Sequence, residues 1–277
     1  MLPSKNSASE GFYRFFSFFQ PPTIPRSWEE EWRNHVFPHG EIQELAPGLW
    51  HVTGVLGFTP REMVIYRLPA GGLLIHSAIA LNEAGMTALE SLGTPTLMIV
   101  PNRIHRLDAA LFKQRYPQLQ VITPQVAKPY VEEIVTVDGI AEEILPPLGI
   151  ICHQPEGIRP QELVYELPLS TGKALIFTDI LFNLTESYLQ QFVPHRQFIL
   201  HWLGAAGYFG ITALGKRFFL TDLLAYQQWL ITLADRILSL QIISVAHGEP
   251  ITENCSQRLQ EAAARLSINQ VSGHPET

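Results

Sequence analysis

Four short apolar segments of this chain are each closely followed by a histidine or an aspartate. The segments LLI, LMIV, LIFT and IISVA have the composition of buried β-strands. The side chains that follow them are His76, His105, Asp179 and His247. His105 lies in a strand-to-helix crossover, a position at which open α/β sheets present their functional groups. We therefore predict that the four side chains converge on one cleft at the strand ends.

The order of the predicted elements indicates a duplicated α/β architecture. One run of strand-like segments begins near residue 49 and a second near residue 149, and each is followed by helical stretches. The strongest amphipathic helix is predicted over about 220–238, with Leu224 and Leu238 on its apolar face. With 277 residues, of which 46% are hydrophobic, the chain can form one large domain. The predicted boundaries are an N-terminal extension (1–44), the domain (45–268) and a C-terminal tail (269–277).

The composition excludes several classes of function. The net charge of −7, without any basic run, argues against nucleic acid as a partner and leaves a small-molecule ligand. The two cysteines, Cys152 and Cys255, are too few for a disulfide framework, so a reducing, cytoplasmic location is predicted. No apolar run reaches the roughly 18–20 residues of a transmembrane segment.

An aromatic segment near the N-terminus, FYRFFSFFQPP (12–22), has two interpretations. It can be an arm that packs across its own or a neighbouring subunit, which would allow a homo-oligomer. It can instead contact a membrane surface or another partner, since exposed aromatic patches mark interaction sites. Downstream, Ser27 can cap a short helix over about 27–35, with acidic residues in its first turn.

The order of four segments resembles the metallo-β-lactamase fold. They are LLIHSA, the crossover IVPNRIHRLD, KALIFTDILF and ISVAHGEPI, and the resemblance extends over about residues 49–266. It implies an α/β fold that is a four-layer αββα sandwich, with two mixed sheets inside and helices outside. Members of this superfamily are usually hydrolases with one or two zinc or iron ions in a cleft. The similarity is greatest to a divergent branch in which the metal-binding motif is degenerate.

The chain departs from the superfamily pattern at several metal-binding positions. Complete sites carry His-x-His-x-Asp-His in the crossover; if His105 is the second histidine, Arg103, Leu107 and Asp108 replace the other ligands. The next histidine of the pattern falls at about Ile158, and His76 replaces the aspartate that ordinarily ends the LLI strand. Asp179 and His247 stand where the superfamily places its ligands.

The remaining residues allow at most one metal ion. The resemblance implies His105, Asp179 and His247 as ligands of zinc or iron, since imidazole and carboxylate suit both metals. His76 or Asp108 would complete the ligand shell or take the proton of a metal-bound water, and these two are the predicted catalytic residues. Arg103 and Arg106 flank His105 and would hold the carboxylate or phosphate of a small anionic substrate.

Two hypotheses about function follow. The first is a hydrolase-like protein with a degenerate, one-metal site and a small substrate. The second is a metal-free relative that keeps the fold as a binding or assembly module, in which the arginine and histidine side chains bind an anion or a partner.

Overall fold

The structure is a computed structural model, and it describes residues 27–268. Its strands are β1 (Gln43–Ala46), β2 (Leu49–Leu56), β3 (Thr59–Arg67), β4 (Leu73–His76), β5 (Pro95–Ile99), β6 (Gln120–Thr123), β7 (Gly139–Ile140), β8 (Ile151–His153), β9 (Val164–Pro168), β10 (Lys173–Ile176), β11 (Phe182–Asn183), β12 (Phe209–Gly210) and β13 (Leu240–Ser244). Its α-helices are α1 (Trp28–His35), α2 (Glu83–Leu92), α3 (Ala109–Arg115), α4 (Lys128–Val131), α5 (Ala141–Ile144), α6 (Glu186–Phe192), α7 (Gln197–Trp202), α8 (Ala213–Phe218), α9 (Leu223–Arg236) and α10 (Cys255–Ile268).

The first sheet has seven strands in the order β1-β2-β3-β4-β5-β6-β7. Strands β1 to β4 are antiparallel neighbours, whereas β4 to β7 run parallel. Parallel neighbours need a crossover connection, and α2 and α3 supply the first two. His76 ends β4, and His105 follows its parallel neighbour β5, so both residues lie at the carboxyl ends of adjacent strands.

The second sheet has four strands in the order β13-β10-β9-β8. Strands β10 and β13 pair in parallel, and the other neighbours are antiparallel. Asp179 follows β10 and His247 follows β13, so the parallel pairing carries both side chains to the same edge of this sheet.

Apolar layers lie in three places: between the two sheets, and between each sheet and the helices outside it. One lies between the sheets and joins residues from both, including Val64, Leu74, Ile99, Tyr165, Leu167 and Ile242. A second packs the outer face of the first sheet against α1, α2 and α3, including Trp32, Ile65, Met86, Met98 and Phe112. A third packs the second sheet against α9 and α10, including Leu175, Tyr226, Leu230, Ile243 and Leu259. This stacking confirms the predicted αββα sandwich with mixed sheets.

Helix α9 is shorter than the amphipathic stretch that the sequence predicted. The side chain of Asp222 accepts a hydrogen bond from the Ala225 amide at 3.0 Å, so the helix begins at Leu223. At the other end Ile237 is extended, and Leu238 lies beyond the helix. Leu224 and Leu238 were assigned to the apolar face, but they are 68% and 81% exposed. The capping aspartate sets the start of the helix, which hydrophobic periodicity alone could not show.

Part of the predicted N-terminal extension packs against the domain. Helix α1 is capped by Ser27, whose hydroxyl accepts from the Glu30 amide, as the sequence predicted. Trp32 is 1% exposed, and its indole N–H donates to the carbonyl of Leu81 at 2.9 Å. The aromatic segment 12–22 and the predicted tail 269–277 lie outside the described residues, and the domain boundaries stay predictions. In the described part of the chain, we find no helix with the length and apolarity to cross a membrane.

Candidate metal centre

Three of the four predicted strand-end side chains meet at one point. Oδ1 of Asp179 lies 3.1 Å from Nε2 of His105 and 3.1 Å from Nε2 of His247. The two imidazole rings are 5.0 Å apart between centroids. One ligand atom from each of the three residues lies within 4.8 Å of the other two. His105 reaches this cluster from the first sheet, whereas Asp179 and His247 reach it from the second.

The second ring nitrogen of His247 is held by a backbone carbonyl. Nδ1 lies 2.7 Å from the oxygen of Pro60, near the start of β3. Because a carbonyl only accepts, Nδ1 carries a hydrogen, and Nε2 is the ring nitrogen that faces the cluster. The ring of Phe182 lies 4.6 Å from the His247 ring and covers one side of it. The Pro60 carbonyl and the Phe182 ring thus fix the orientation of His247, with Nε2 directed at Asp179.

Ser77 holds the second ring nitrogen of His105. Its Oγ lies 2.8 Å from Nδ1 of His105, and the residue is 3% exposed. Ser77 has a φ of +57°, a left-handed conformation that is uncommon for a residue other than glycine. Such strain clusters at functional sites, where the surrounding structure maintains it. The hydroxyl can donate or accept, so it suits either tautomer of His105.

Asn102 engages the second carboxylate oxygen of Asp179. Its Nδ2 donates to Oδ2 at 2.7 Å, while its Oδ1 accepts from the backbone amides of Ile104 and His105 at 2.8 and 3.0 Å. These two amides fix the orientation of the side-chain amide, so its NH₂ group must face Asp179. Asn102 is 1% exposed, and it joins the crossover loop to the second sheet.

Glu162 holds the backbone at Asp179 in place. Its carboxylate accepts hydrogen bonds from the backbone amides of Thr178 and Asp179, the closest at 2.8 Å. Burial, and next the charge of Asp179, raise the pKa of Glu162. Burial also opposes ionisation of Asp179, but the charges and hydrogen bonds of His105 and His247 outweigh it and hold the pKa of Asp179 well below its usual range. The aspartate in the cluster is therefore an anion.

The charge state of His105 suits a metal ligand. Burial lowers the pKa of His105, and the neighbouring Asp179 only partly offsets this effect. A neutral imidazole has the free lone pair that a metal ion requires. The side chains of His105, Asp179 and His247 are 5%, 5% and 9% exposed, so water has little access to them.

His76 borders the cluster without being one of the three grouped residues. It is 2% exposed, and its ring meets the ring of Tyr165 edge-on at 5.5 Å. Burial, together with the charge of His105, lowers the pKa of His76 to about 3. Its Nε2 has no hydrogen-bond partner within residues 27–268. His76 is therefore a neutral, nearly dry side chain beside the cluster.

Asp108, the second predicted catalytic residue, has partners of its own. Oδ2 accepts from Nη2 of Arg61 at 2.7 Å and from the Ala80 amide at 3.2 Å, and Oδ1 lies 3.1 Å from Nδ1 of His35. Burial raises its pKa, but the charge of Arg61 and the hydrogen bond to His35 outweigh burial and lower the pKa overall. Asp108 is a buried, ion-paired carboxylate and is not one of the three grouped residues.

The two arginines predicted to bind substrate lie in the crossover loop beside His105 and contact the α4 region. The guanidinium of Arg103 lies 4.6 Å from the centre of the Tyr130 ring. Arg106 donates to the carbonyl of Tyr130, and its Nη1 is 2.8 Å from a carboxylate oxygen of Glu133. Both arginines are partly buried, and they bring positive charge to the loop that carries His105.

Sequence reasoning missed four residues that shape the cluster, namely Pro60, Ser77, Asn102 and Glu162. Asn102 and Ser77 each had a usable signal, because each lies two residues after the end of an apolar segment. Pro60 acts through a backbone carbonyl, and Glu162 acts on the backbone amides of Thr178 and Asp179, which are distant in the sequence. Neither of these two residues had a local signal.

Comparisons with known proteins give a match at the level of the fold. No protein-family model matches the sequence, and no curated protein does. The structure resembles the metallo-β-lactamase FIM-1 from Pseudomonas aeruginosa in its mono-zinc form, with a TM-score of 0.55 and 11% identity over 84% of this chain and 98% of that one.

Two further solved structures give the same result. The metallo-β-lactamase DIM-1 has a TM-score of 0.56 and 10% identity, over 82% of this chain and 99% of that one. A metallo-β-lactamase from Erythrobacter litoralis has a TM-score of 0.54 and 13% identity, over 81% and 96%. The resemblance seen in the sequence is thus confirmed for the fold.

Proposed function

We propose that this chain, which has the metallo-β-lactamase fold, is a hydrolase-like protein that holds one metal ion between His105, Asp179 and His247. The observation that carries the proposal is the convergence of two imidazoles and a carboxylate from two different sheets. A small, anionic substrate is proposed because the cluster is little exposed and because Arg103 and Arg106 lie in the same loop as His105.

The donor set fits a metal ion. Nδ1 of His247 donates to the carbonyl of Pro60, so without a proton on Nε2 the ring would direct a lone pair at Oδ1 of Asp179, only 3.1 Å away. Two lone pairs at this distance repel unless a proton or a cation lies between them. Neighbouring ligands of tetrahedral zinc are roughly 3.3 Å apart, as follows from its bond lengths of about 2.0–2.1 Å. The 3.1 Å contacts are close to that value, and imidazole with carboxylate suits zinc or iron.

Asn102 favours one ion over two. A second ion in a two-metal site would share the Asp179 carboxylate, but Oδ2 already accepts a hydrogen bond from Nδ2 of Asn102 at 2.7 Å. The amide cannot turn its oxygen toward a cation without breaking its bonds to two backbone amides. The NH₂ group therefore places partial positive charge where a second cation would need a ligand.

When bound, a zinc or iron ion would supply Lewis acidity and lower the pKa of a coordinated water toward about 7. Pro60 and Ser77 orient the two imidazoles, and Asn102 and Glu162 hold Asp179 in place.

Proton transfer by Asp108 or His76 stays a prediction, and the contacts of both residues oppose it. Asp108 is held as an ion-paired anion, and His76 would have to accept a proton in a dry environment that lowers its pKa to about 3. Substrate binding by Arg103 and Arg106 likewise stays a prediction. The proximity of both side chains to His105 in the chain supports it.

Metal content of protein purified without added metal tests the proposal. We expect about one equivalent of zinc or iron per chain in the wild type and a large loss in His247→Ala. His201→Ala is the matched control, because His201 is an exposed histidine that pairs with Glu186 outside the cluster. Two equivalents, or equal metal content in both variants, would contradict the one-metal site.

The metal-free binding module is the alternative, and the direct contact between His247 and Asp179 favours it. Without a metal ion, an added proton on His247 would satisfy its contact with Asp179. Wild-type protein with no zinc or iron, and no uptake of either during dialysis, would support this second function.

A further inference from the structure

A cavity of about 450 Å³ lies between the glycine-rich loop 203–212, α8 and α10. Its walls include Gly204, Tyr208, Gly210, Lys216, Arg265 and Leu266. None of its lining residues belongs to the His105–Asp179–His247 cluster. Its volume is within the roughly 300–1,000 Å³ of small-molecule pockets, which are mostly apolar with a few convergent polar groups.

The loop wall has a defined shape. The Tyr208 hydroxyl donates to the carbonyl of Gly204 at 2.7 Å, which closes the loop on itself. Gly210 has a φ of +158°, and a Cβ there would lie 3.3 Å from the Tyr208 ring. A side chain at position 210 would therefore be in tight contact with the Tyr208 ring, which would have to shift slightly. Glycine at position 210 thus leaves space for the Tyr208 ring, which forms one side of the cavity.

The side chains of Lys216 and Arg265 are positively charged, and they line a cavity whose other walls are mostly apolar. Neither Lys216 nor Arg265 forms an ion pair with a carboxylate in the described part of the chain. The Arg265 guanidinium lies 5.7 Å from the centre of the Tyr208 ring, and Lys216 is half-buried. Burial lowers the pKa of Lys216. In a chain of net charge −7, two cations that have no carboxylate partner within residues 27–268 form a local site for an anion on this cavity.

We propose that this cavity binds a medium-chain carboxylate, with the carboxylate between Lys216 and Arg265 and the alkyl chain against the apolar wall. The planar guanidinium matches a carboxylate in two parallel hydrogen bonds, and the ammonium adds a second charge. The cavity wall residue Gly210 pairs with Phe182, whose ring covers His247. The proposal stands independently of the one-metal function.

Calorimetric titration of the full chain with octanoate and with 1-octanol tests this site. We expect saturable binding of octanoate that is stronger than binding of the neutral alcohol. The double variant Lys216→Gln/Arg265→Gln should weaken octanoate binding about tenfold or more, since charged hydrogen bonds are lost, and should leave octanol binding unchanged. Arg217→Gln is the matched control, because Arg217 lies on the same helix but does not line the cavity.

The octanol titration also shows whether the double variant keeps the cavity, so a folding defect cannot mimic the loss of charge. Three results would overturn the proposal. They are equal affinity for octanoate and octanol, equal octanoate affinity in the wild type and the double variant, or no octanoate binding at millimolar concentration.

Discussion

Asp108 forms a buried ion pair with Arg61, and the role of this pair distinguishes a contribution of Asp108 to stability from a contribution to metal binding. Nη2 of Arg61 lies 2.7 Å from Oδ2 of Asp108, and the two side chains are 10% and 0% exposed. The pair connects β3 to the residue before α3, and His35 adds a contact from α1. We predict that this pair stabilises the fold and does not contribute to metal binding.

The expected effect of Arg61→Met follows from burial. Methionine keeps much of the apolar stem but leaves the Asp108 carboxylate buried without its main partner. Removal of one member of a buried pair destabilises a protein by about 3–5 kcal/mol. Arg258→Met is the matched control, because the Arg258–Glu261 pair has side chains that are 37% and 44% exposed. Exposed pairs contribute about 0–1 kcal/mol.

Urea denaturation, with metal content measured on each variant, provides the assay. Arg61→Met should lower the free energy of unfolding several times more than Arg258→Met does. The double variant Arg61→Met/Asp108→Leu should recover part of the loss, because no charge of this pair then remains buried. Equal losses in the two single variants would refute the buried-pair reasoning. Loss of metal in the folded double variant would refute the assignment of Asp108 to the fold.

Two further predictions concern the surroundings of the cluster. Asn102→Asp should raise metal content from about one equivalent toward two, since a carboxylate replaces the NH₂ group on Oδ2 of Asp179; unchanged metal content would contradict this. The pKa of His76 falls from 6.5 to about 3 on burial, so the unfolded chain binds more protons between these values and stability falls as the pH drops through this window. In metal-free protein His76→Leu should weaken that dependence, and an unchanged stability–pH curve would contradict it.

The layers and the strand ends could be predicted from the sequence because their signals are local. Apolar segments such as LMIV and LIFT are short, rich in branched residues and followed by polar residues. Parallel pairing then brings the residues after β10 and β13 to one edge, whatever the details of the loops. The positions of Asp179 and His247 follow from topology alone.

The partners of Asp108 could not be predicted, because they come from distant parts of the chain. Arg61 is 47 residues away and His35 is 73 residues away. Arg61 also lies within a strand whose pattern gave no sign of a buried charge. Aligning the crossover with a known motif made Asp108 a candidate for the ligand shell, whereas long-range packing gave it a cation of its own.

The cluster takes side chains from both sheets, so a metal ion bound there would link its binding to the packing of the sandwich. His105 belongs to the crossover of the first sheet, whereas Asp179 and His247 follow strands of the second. The Asn102–Asp179 and His247–Pro60 hydrogen bonds cross between the same two halves. A ligand that binds only the folded chain stabilises it by about 2.7 kcal/mol at a concentration of 100 times its Kd. Because the three donors come from both sheets, an ion bound to them would stabilise the contact between the sheets. The hydrogen bonds of Asn102 and Pro60 keep the donors of the two sheets in their relative positions.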